Sequence, residues 1–415
     1  MSPLAICSAQ ADVLACVSGR YAFHIGEGNQ WKGWGGILSE RRNGMISDIV
    51  CGIIIRHRMS CGRSERKEEK GNRRMNGRDR SIDILRGMGI VLMIAGHIGV
   101  GIQPYEKDFS WWYHAFHMPM FYIISGYFFD SKTADIQALI ARKTKTLLIP
   151  YAFWGMFHIL YNYVLLGDSL AIREGIRRLF VDPTISQVPI AGALWFLPAL
   201  FWVEIIYYYV NIVLRGRWTK YAASMVIGAC GMIAAENGIH LPMALDAALV
   251  GVAFAGTGAL LRDVCKDGVK DALRRVKGYV FVMALIAANA LIFCNSEVNF
   301  RSGKFGYEPL AYINAVLPTI VLWKTAVLLD GRGNGRLTGL AVDALASIGR
   351  ESIIYVCLNQ WMIKYIMPVF ISVGSSRVWW QLAARGMTLV FVCFVCSVVM
   401  KVMTQNLHLK RFVGK

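Results

Sequence analysis

Residues 79–99 read DRSIDILRGMGIVLMIAGHIG. The run is apolar enough to lie in lipid, yet Arg86 stands near its start and His97 comes eleven residues later, with no charged side chain between them. On an α-helix that spacing is about three turns and a rise of about 16 Å, so the two side chains fall on nearly the same face. An ionisable group facing lipid is costly, so both are expected to look into one solvated chamber inside the protein. An arginine near a helix end has a plainer explanation, because its head group reaches the interface while its stem stays in the apolar layer. His97 is too short for that, and its plain alternative is a hydrogen-bonded packing role. Asp83, one turn before Arg86, is placed to hold the guanidinium; its plain alternative is a helix pair worth about 0.3 kcal/mol. The glycines of this run let another helix or a ligand approach closely.

The rest of the chain gives that helix a setting. Of 415 residues, 55% are apolar and only 17% charged, and the mean hydropathy is +0.42. Soluble domains usually carry about a quarter charged residues, so the composition indicates an all-α, polytopic membrane protein. The net charge of +18 does not indicate a nucleic-acid partner, because most of the basic residues lie between apolar runs. There they set membrane orientation and meet anionic lipid. The ten cysteines show neither a zinc spacing nor a secreted disulfide framework. Cys393 and Cys396 form a CxxC inside an apolar run and read as thiols buried on one helix face.

Residues 1–74 differ from the remainder of the chain. Their apolar stretches are short, they end in the polar run CGRSERKEEKGNRR, and Met75 comes immediately after. They are expected to be disordered, or a leader translated from upstream of a true start at Met75. From there to about residue 405 apolar windows of bilayer length recur, near 84–102, 113–129, 146–167, 193–213, 221–236, 243–261, 278–294, 309–329, 351–371 and 385–403. That predicts about ten transmembrane helices. Basic clusters fall on alternate connections, among them Arg73 to Arg80, Lys132 to Lys145, Arg262 to Lys277, and the tail 406–415 with Lys410, Arg411 and Lys415. The alternation places both termini in the cytoplasm. The stretch IREGIRRLF at 172–180 is the exception, and its amphipathic pattern predicts a helix lying along the membrane surface.

The second helix reads WWYHAFHMPMFYIISGYFF over residues 111–129. His114 and His117 share a face, but no third metal ligand accompanies them, so no metal site is expected. Pro119 loosens the helix beside His117. Ser125 and Gly126 interrupt the aromatic run at a point where another chain could approach.

Five segments together resemble one family. IDILRGMGIVLMIAGH, FHMPMFYIISGYFF, ARKTKTLLIPYAFWG, GALWFLPALFWVEIIYYY and IGRESIIYVCLNQW are similar, in that order over about 75–405, to segments of the acyltransferase 3 family of membrane-bound O-acyltransferases. The overall shape resembles its short, single-domain, fucose 4-O-acetylase-like members, those without an added periplasmic esterase-like domain. Many members carry histidine in the last segment, where this chain has Asn359 and Gln360. The resemblance implies transfer of an acyl group from acyl-CoA, acetyl-CoA first among the short donors, to a hydroxyl of a sugar or cell-surface glycan. It implies a multi-pass protein of the bacterial plasma (inner) membrane with no permanently bound cofactor. Its partners would then be the donor, the glycan and membrane lipid.

The residues fit that chemistry. A sugar hydroxyl is a poor nucleophile until a base takes its proton, and a neutral imidazole suits the task. His97 is therefore the expected general base. Arg86 is the expected anchor for an anionic group of the donor, because its planar fork matches phosphate. Asp83, His117, Ser125, Trp195 and Asn359 are further candidates for donor or substrate binding, with core packing the alternative for Trp195. A transporter or flippase for a glycan or small solute is the second reading, since a wet midplane cavity would serve it too. A sensor or scaffold without chemistry is the third. Walker A, HExxH and dinucleotide fingerprints are absent from the sequence.

Overall fold

The computed structural model describes residues 79–99, 111–129, 135–167, 171–184, 192–265, 267–331, 335–372 and 378–415. Before residue 79 it describes only the backbone of two short strands, β1 (His24–Ile25) and β2 (Trp31–Lys32). They pair antiparallel, with His24 opposite Lys32 and Ile25 opposite Trp31. The two strands and the helices belong to different units, divided between Arg78 and Asp79, and the expectation for 1–74 otherwise lies outside the described residues.

The second unit is built from helices. α1 (Arg80–Ile98) begins where the Asp79 carboxylate accepts the Ser81 backbone N–H at 3.0 Å, satisfying one of the donors a helix start leaves open. It stops at Gly99, whose left-handed φ of 66° turns the chain and lets its N–H close on Gly96 and Ala95, a glycine-dependent ending. This is short of the expected 102. The next helix is broken. Residues 111–114 are helical, Ala115 and Phe116 form a turn, and then comes α2 (His117–Tyr127). Pro119 sits in the first turn of α2, where its missing N–H costs no helical bond.

α3 (Ile136–Lys143) runs through a π-helical turn, Thr144–Leu148, into α4 (Ile149–Leu166). α5 (Ala171–Phe180) is the expected amphipathic helix. Its Leu179 is buried, the Tyr151 hydroxyl donates to the Leu179 carbonyl, and its Glu174 pairs with Arg178 at 3.1 Å. Then come α6 (Phe196–Val213), α7 (Arg217–Glu236), α8 (Leu245–Val264), α9 (Val269–Arg275), α10 (Gly278–Cys294), α11 (Glu308–Gly331), α12 (Arg336–Arg350), α13 (Ser352–Ser372) and α14 (Val378–Gln405).

Among the described residues, six helices are long and apolar enough to cross a membrane: Arg80–Ile98, Phe196–Val213, Pro242–Val264, Glu308–Gly331, Ser352–Ser372 and Trp379–Gln405. A seventh arises if α9 and α10, bent by 105°, count as one span. Each of the ten apolar windows falls on a helix. Three fall short as spans for visible reasons. α2 has only 11 residues, α4 carries His158 and Asn162, and α7 carries Arg217, Lys220 and Glu236. Val164, Val213, Trp379 and Val390 are among the many exposed apolar side chains of these helices. Water does not tolerate so much exposed apolar surface on a monomer, so the molecule is a multi-pass membrane protein.

α1 lies inside the bundle, packed against α2, α11, α12, α13 and α14. Its approach to α12 is backbone to backbone. A Cβ on Gly87 would run into the Leu345 carbonyl, and one on Gly349 into the Asp83 carbonyl. Small residues at such crossings are how helices gain contact when lipid removes the hydrophobic drive between them. After α14 the chain turns back in a short 3-10 segment, Leu409–Val413. Phe412 stacks on Phe153, its carbonyl accepts the Trp154 indole N–H at 2.9 Å, and Val413 is buried. The basic segment 406–415 is therefore docked on the bundle.

Candidate active site

Two cavities meet along α1. The first, of about 330 Å³, is lined by His97, Met93 and Gly96 of α1 and by Tyr113, His114, His117 and Met118 of the broken helix. Gly192, Ala193, Trp195, Asn299, Phe300, Arg301 and Gln360 complete it. The second, of about 450 Å³, is lined by Arg86, Met93, Met118, Ser125, Arg142, Lys143, Glu204, Arg350, Glu351 and Lys415, among others. His97 and Arg86 therefore line two adjoining cavities rather than one shared chamber. Met93 and Met118 line both.

In the first cavity His97 meets Gln360 of α13. The amide nitrogen lies 3.1 Å from Nδ1 and 3.2 Å from Nε2 of the imidazole. The amide oxygen accepts the backbone N–H of Gly192, which orients the amide with its N–H groups toward the histidine. An N–H donor can bond only a ring nitrogen that carries a lone pair, and a neutral imidazole has one such nitrogen, so the amide covers the lone pair until a hydroxyl displaces it. Asn359, one residue earlier, is fully buried, and its amide donates to the Tyr355 and Val356 carbonyls of its own helix at 2.7 and 3.1 Å. It lines neither cavity; Gln360 holds the cavity-facing place.

His117 is buried, and its Nδ1 lies 2.9 Å from the Tyr113 carbonyl. A carbonyl only accepts, so Nδ1 carries the proton and Nε2 the lone pair. The break at Ala115–Phe116 puts the His114 and His117 rings 5.5 Å apart. Among the described residues no group of three His, Cys, Asp or Glu side chains could hold a metal ion. Gly96 opens the floor of the cavity, since a Cβ there would collide with the Tyr113 ring. Trp195 contributes a buried wall just before α6.

Arg301 arrives from the segment between α10 and α11. Asn299 and Lys304 bridge each other's backbones there, and the Asn299 side-chain oxygen accepts the Arg301 N–H at 3.1 Å. That fold aims Arg301 inward, and its Nε donates to the Thr184 carbonyl at 3.0 Å. Burial pulls its pKa down from the ordinary arginine value, the cost of removing a guanidinium from bulk water. The sequence sets Gln360 beside Asn359, at the place where many family members carry histidine, but points to Asn359 as the candidate, and it does not point to Arg301. A polar residue in the apolar α13 hinted at Gln360, whereas nothing in a loop's composition shows that it folds back over a cavity.

The second cavity is rich in basic side chains. Arg86 lies 5.4 Å over the Phe128 ring. Lys143 pairs with Glu204 at 2.5 Å, and the Ser125 hydroxyl donates to the same carboxylate oxygen at 2.7 Å. Ser125 thus has a structural partner while lining the cavity. Asp83 is buried in the first turn of α1 and lines neither cavity. Cys396 is buried with its thiol 3.9 Å from the Met362 sulfur, a packing contact.

The helical membrane body thus holds a histidine-lined cavity beside one lined by several basic side chains. Comparison with known proteins defines the kind. Residues 79–401 match the family model described as an acyltransferase domain, Acyl_transf_3, so the chain belongs to the acyltransferase 3 family. It is also similar to the nodulation protein NolL of Sinorhizobium fredii (strain NBRC 101917 / NGR234), 33% identical over 89 residues. That alignment covers 19% of this chain and 24% of that protein, so the chain aligns with about a quarter of it.

Proposed function

We propose that this chain is a membrane O-acyltransferase that moves an acyl group, acetyl first, from acyl-CoA to a hydroxyl of a sugar or cell-surface glycan. The observation that carries the reading is the pair of cavities in series along α1, one basic and one built around His97. Arg86, with Arg142 and Arg350, suits the phosphates of the donor, because guanidinium groups bind phosphate through paired N–H donors. The acceptor hydroxyl belongs in the other cavity, where Arg301, Asn299 and Gln360 offer polar contacts.

His97 is the general base. It takes the hydroxyl proton as the oxygen attacks the thioester carbonyl carbon. The tetrahedral intermediate collapses with cleavage of the C–S bond. The imidazolium returns its proton to the departing thiolate, leaving an ester and free coenzyme A. Such base catalysis typically contributes about 10²–10⁴-fold. His117, with its lone pair on Nε2, stands beside it as a further substrate contact.

The basic connections suit a bacterial inner-membrane protein of about ten spans with both termini in the cytoplasm. On that orientation the Arg86 cavity faces the cytoplasmic pool of acyl-CoA. The same pair of cavities would also suit a transporter or flippase. Purified protein in liposomes, supplied with labelled acetyl-CoA and glycan extracts, separates the two. Covalent transfer of label to glycan, one acetyl unit by mass, is the expected result. Movement of unmodified glycan across the bilayer without transfer would replace the enzyme by the transporter.

A further inference from the structure

Met93 and Met118 are the two residues, among those described, that line both cavities. Both side chains are buried. Met93 lies one helical turn before His97, about 6 Å along the axis, and seven residues after Arg86, about 10 Å. Met118 is the residue after His117 and enters the same gap from the broken helix. The partition between the cavities is therefore two unbranched thioether chains set close to the imidazole. A donor anchored beside Arg86 has to bring its thioester past them to reach a hydroxyl held at His97.

We infer that Met93 and Met118 are the specificity determinants for the acyl group, admitting a short acyl chain of acetyl size and rejecting longer ones; the inference rests on the acyl-transfer reading of the two cavities. Three features carry it. Methionine has three rotatable bonds and no branch at Cβ or Cγ, so the pair can part for a narrow thioester and close again. The His97 cavity, about 330 Å³, is near the lower end of the ~300–1,000 Å³ usual for ligand pockets. It must hold the acceptor as well as the acyl group. Every added methylene of the acyl chain therefore competes with the acceptor or presses on the methionines.

The test is the ratio of kcat/KM for acetyl-CoA to that for butyryl-CoA, measured on the full chain in liposomes with one acceptor preparation. A ratio is unchanged by any loss of folded protein. In the wild type it is expected to favour acetyl strongly. Met93→Ala and Met118→Ala should each lower it by about tenfold, the scale on which apolar pockets discriminate methylenes. Met93→Leu and Met118→Leu keep the volume with a stiffer, branched chain, and should slow both donors while holding the ratio within about twofold, as befits near-isosteric swaps. Active alanine variants with an unchanged ratio would overturn the inference and leave acyl transfer standing. A wild type that transfers neither acyl group would overturn both.

Discussion

The Gln360 side-chain amide faces both His97 and Gly192, with its nitrogen 3.1 Å from His97 Nδ1 and its oxygen accepting the Gly192 N–H. It ties α13 to α1 and to the turn that precedes α6. Because the amide nitrogen is nearly equidistant from both ring nitrogens, it can meet whichever carries the lone pair. We read Gln360 as a positioning residue that holds the His97 ring until the acceptor hydroxyl displaces its N–H from the lone pair. Gln360→Ala should lower kcat by about 10- to 100-fold, the cost of misplacing a reacting group by about an ångström, with KM for the donor little changed. Gln360→Glu can still accept from Gly192 but presents no amide N–H to the ring, and should shift the pH profile of kcat toward higher pH by favouring the imidazolium. A kcat loss in both variants with an unmoved pH profile would mark the role as structural only.

His97→Ala should remove the base at the cost of one inter-helix contact, that with Gln360, while the glycine-mediated packing of α1 on α12 stays in place. Acyl transfer is expected to fall by about 10²–10⁴-fold, with the protein at normal levels in the membrane. Labelled transfer and immunoblot on the same membranes check it. Full transfer by this variant would leave the mechanism without its base and move attention to His117.

Arg86→Ala should act on the donor. A charged hydrogen bond to phosphate is worth about 1.5–3 kcal/mol, so KM for acyl-CoA should rise by roughly 10- to 100-fold, with kcat less affected. Raising the salt concentration should weaken the wild-type enzyme's donor affinity more than the variant's, since screening acts on the charge that the variant lacks. Equal donor KM in the two proteins would remove Arg86 from the donor site.

The helices could be read in the sequence because lipid demands long apolar windows, and every predicted window falls on one. Their ends were less legible. α1 stops at Gly99 because of a local backbone turn, and the second window breaks at Ala115–Phe116, which hydropathy alone does not register. His97, Arg86, His117, Ser125 and Trp195 all reach cavity walls, because a polar group in an apolar run has few other places to go. Asn359 and Gln360 show the limit. Neighbours on a helix point about 100° apart, and only the packing of α13 against α1 decides which faces inward. Arg301 and the docked segment 406–415 depend on where a connection folds back. The division into two cavities depends on two methionine side chains from different helices, which no single-helix pattern records.

The close contact between α1 and α12 leads to the last prediction. A Cβ on Gly349 would meet the backbone carbonyl of Asp83, and backbone cannot rotate aside as a long side chain can. Gly349→Ala should therefore push the two helices apart, at a cost of about 1–3 kcal/mol, the usual scale for overpacking. Gly349 also lines the Arg86 cavity, so the displacement should reach the donor site before it reaches the Gln360–His97 contact. The expected signature is a lower melting temperature in detergent, with a raised KM for acyl-CoA in the protein that remains folded. Gly386, by contrast, has open space where its Cβ would go, and Gly386→Ala on α14 should leave both quantities unchanged or raise the melting temperature slightly through better helix propensity. Thermal unfolding of the two variants side by side, then donor titration at a temperature where both are folded, separates a helix-spacing effect from a general intolerance of alanine. Equal stability for the two would mean that α1 and α12 do not approach as closely as their glycines imply.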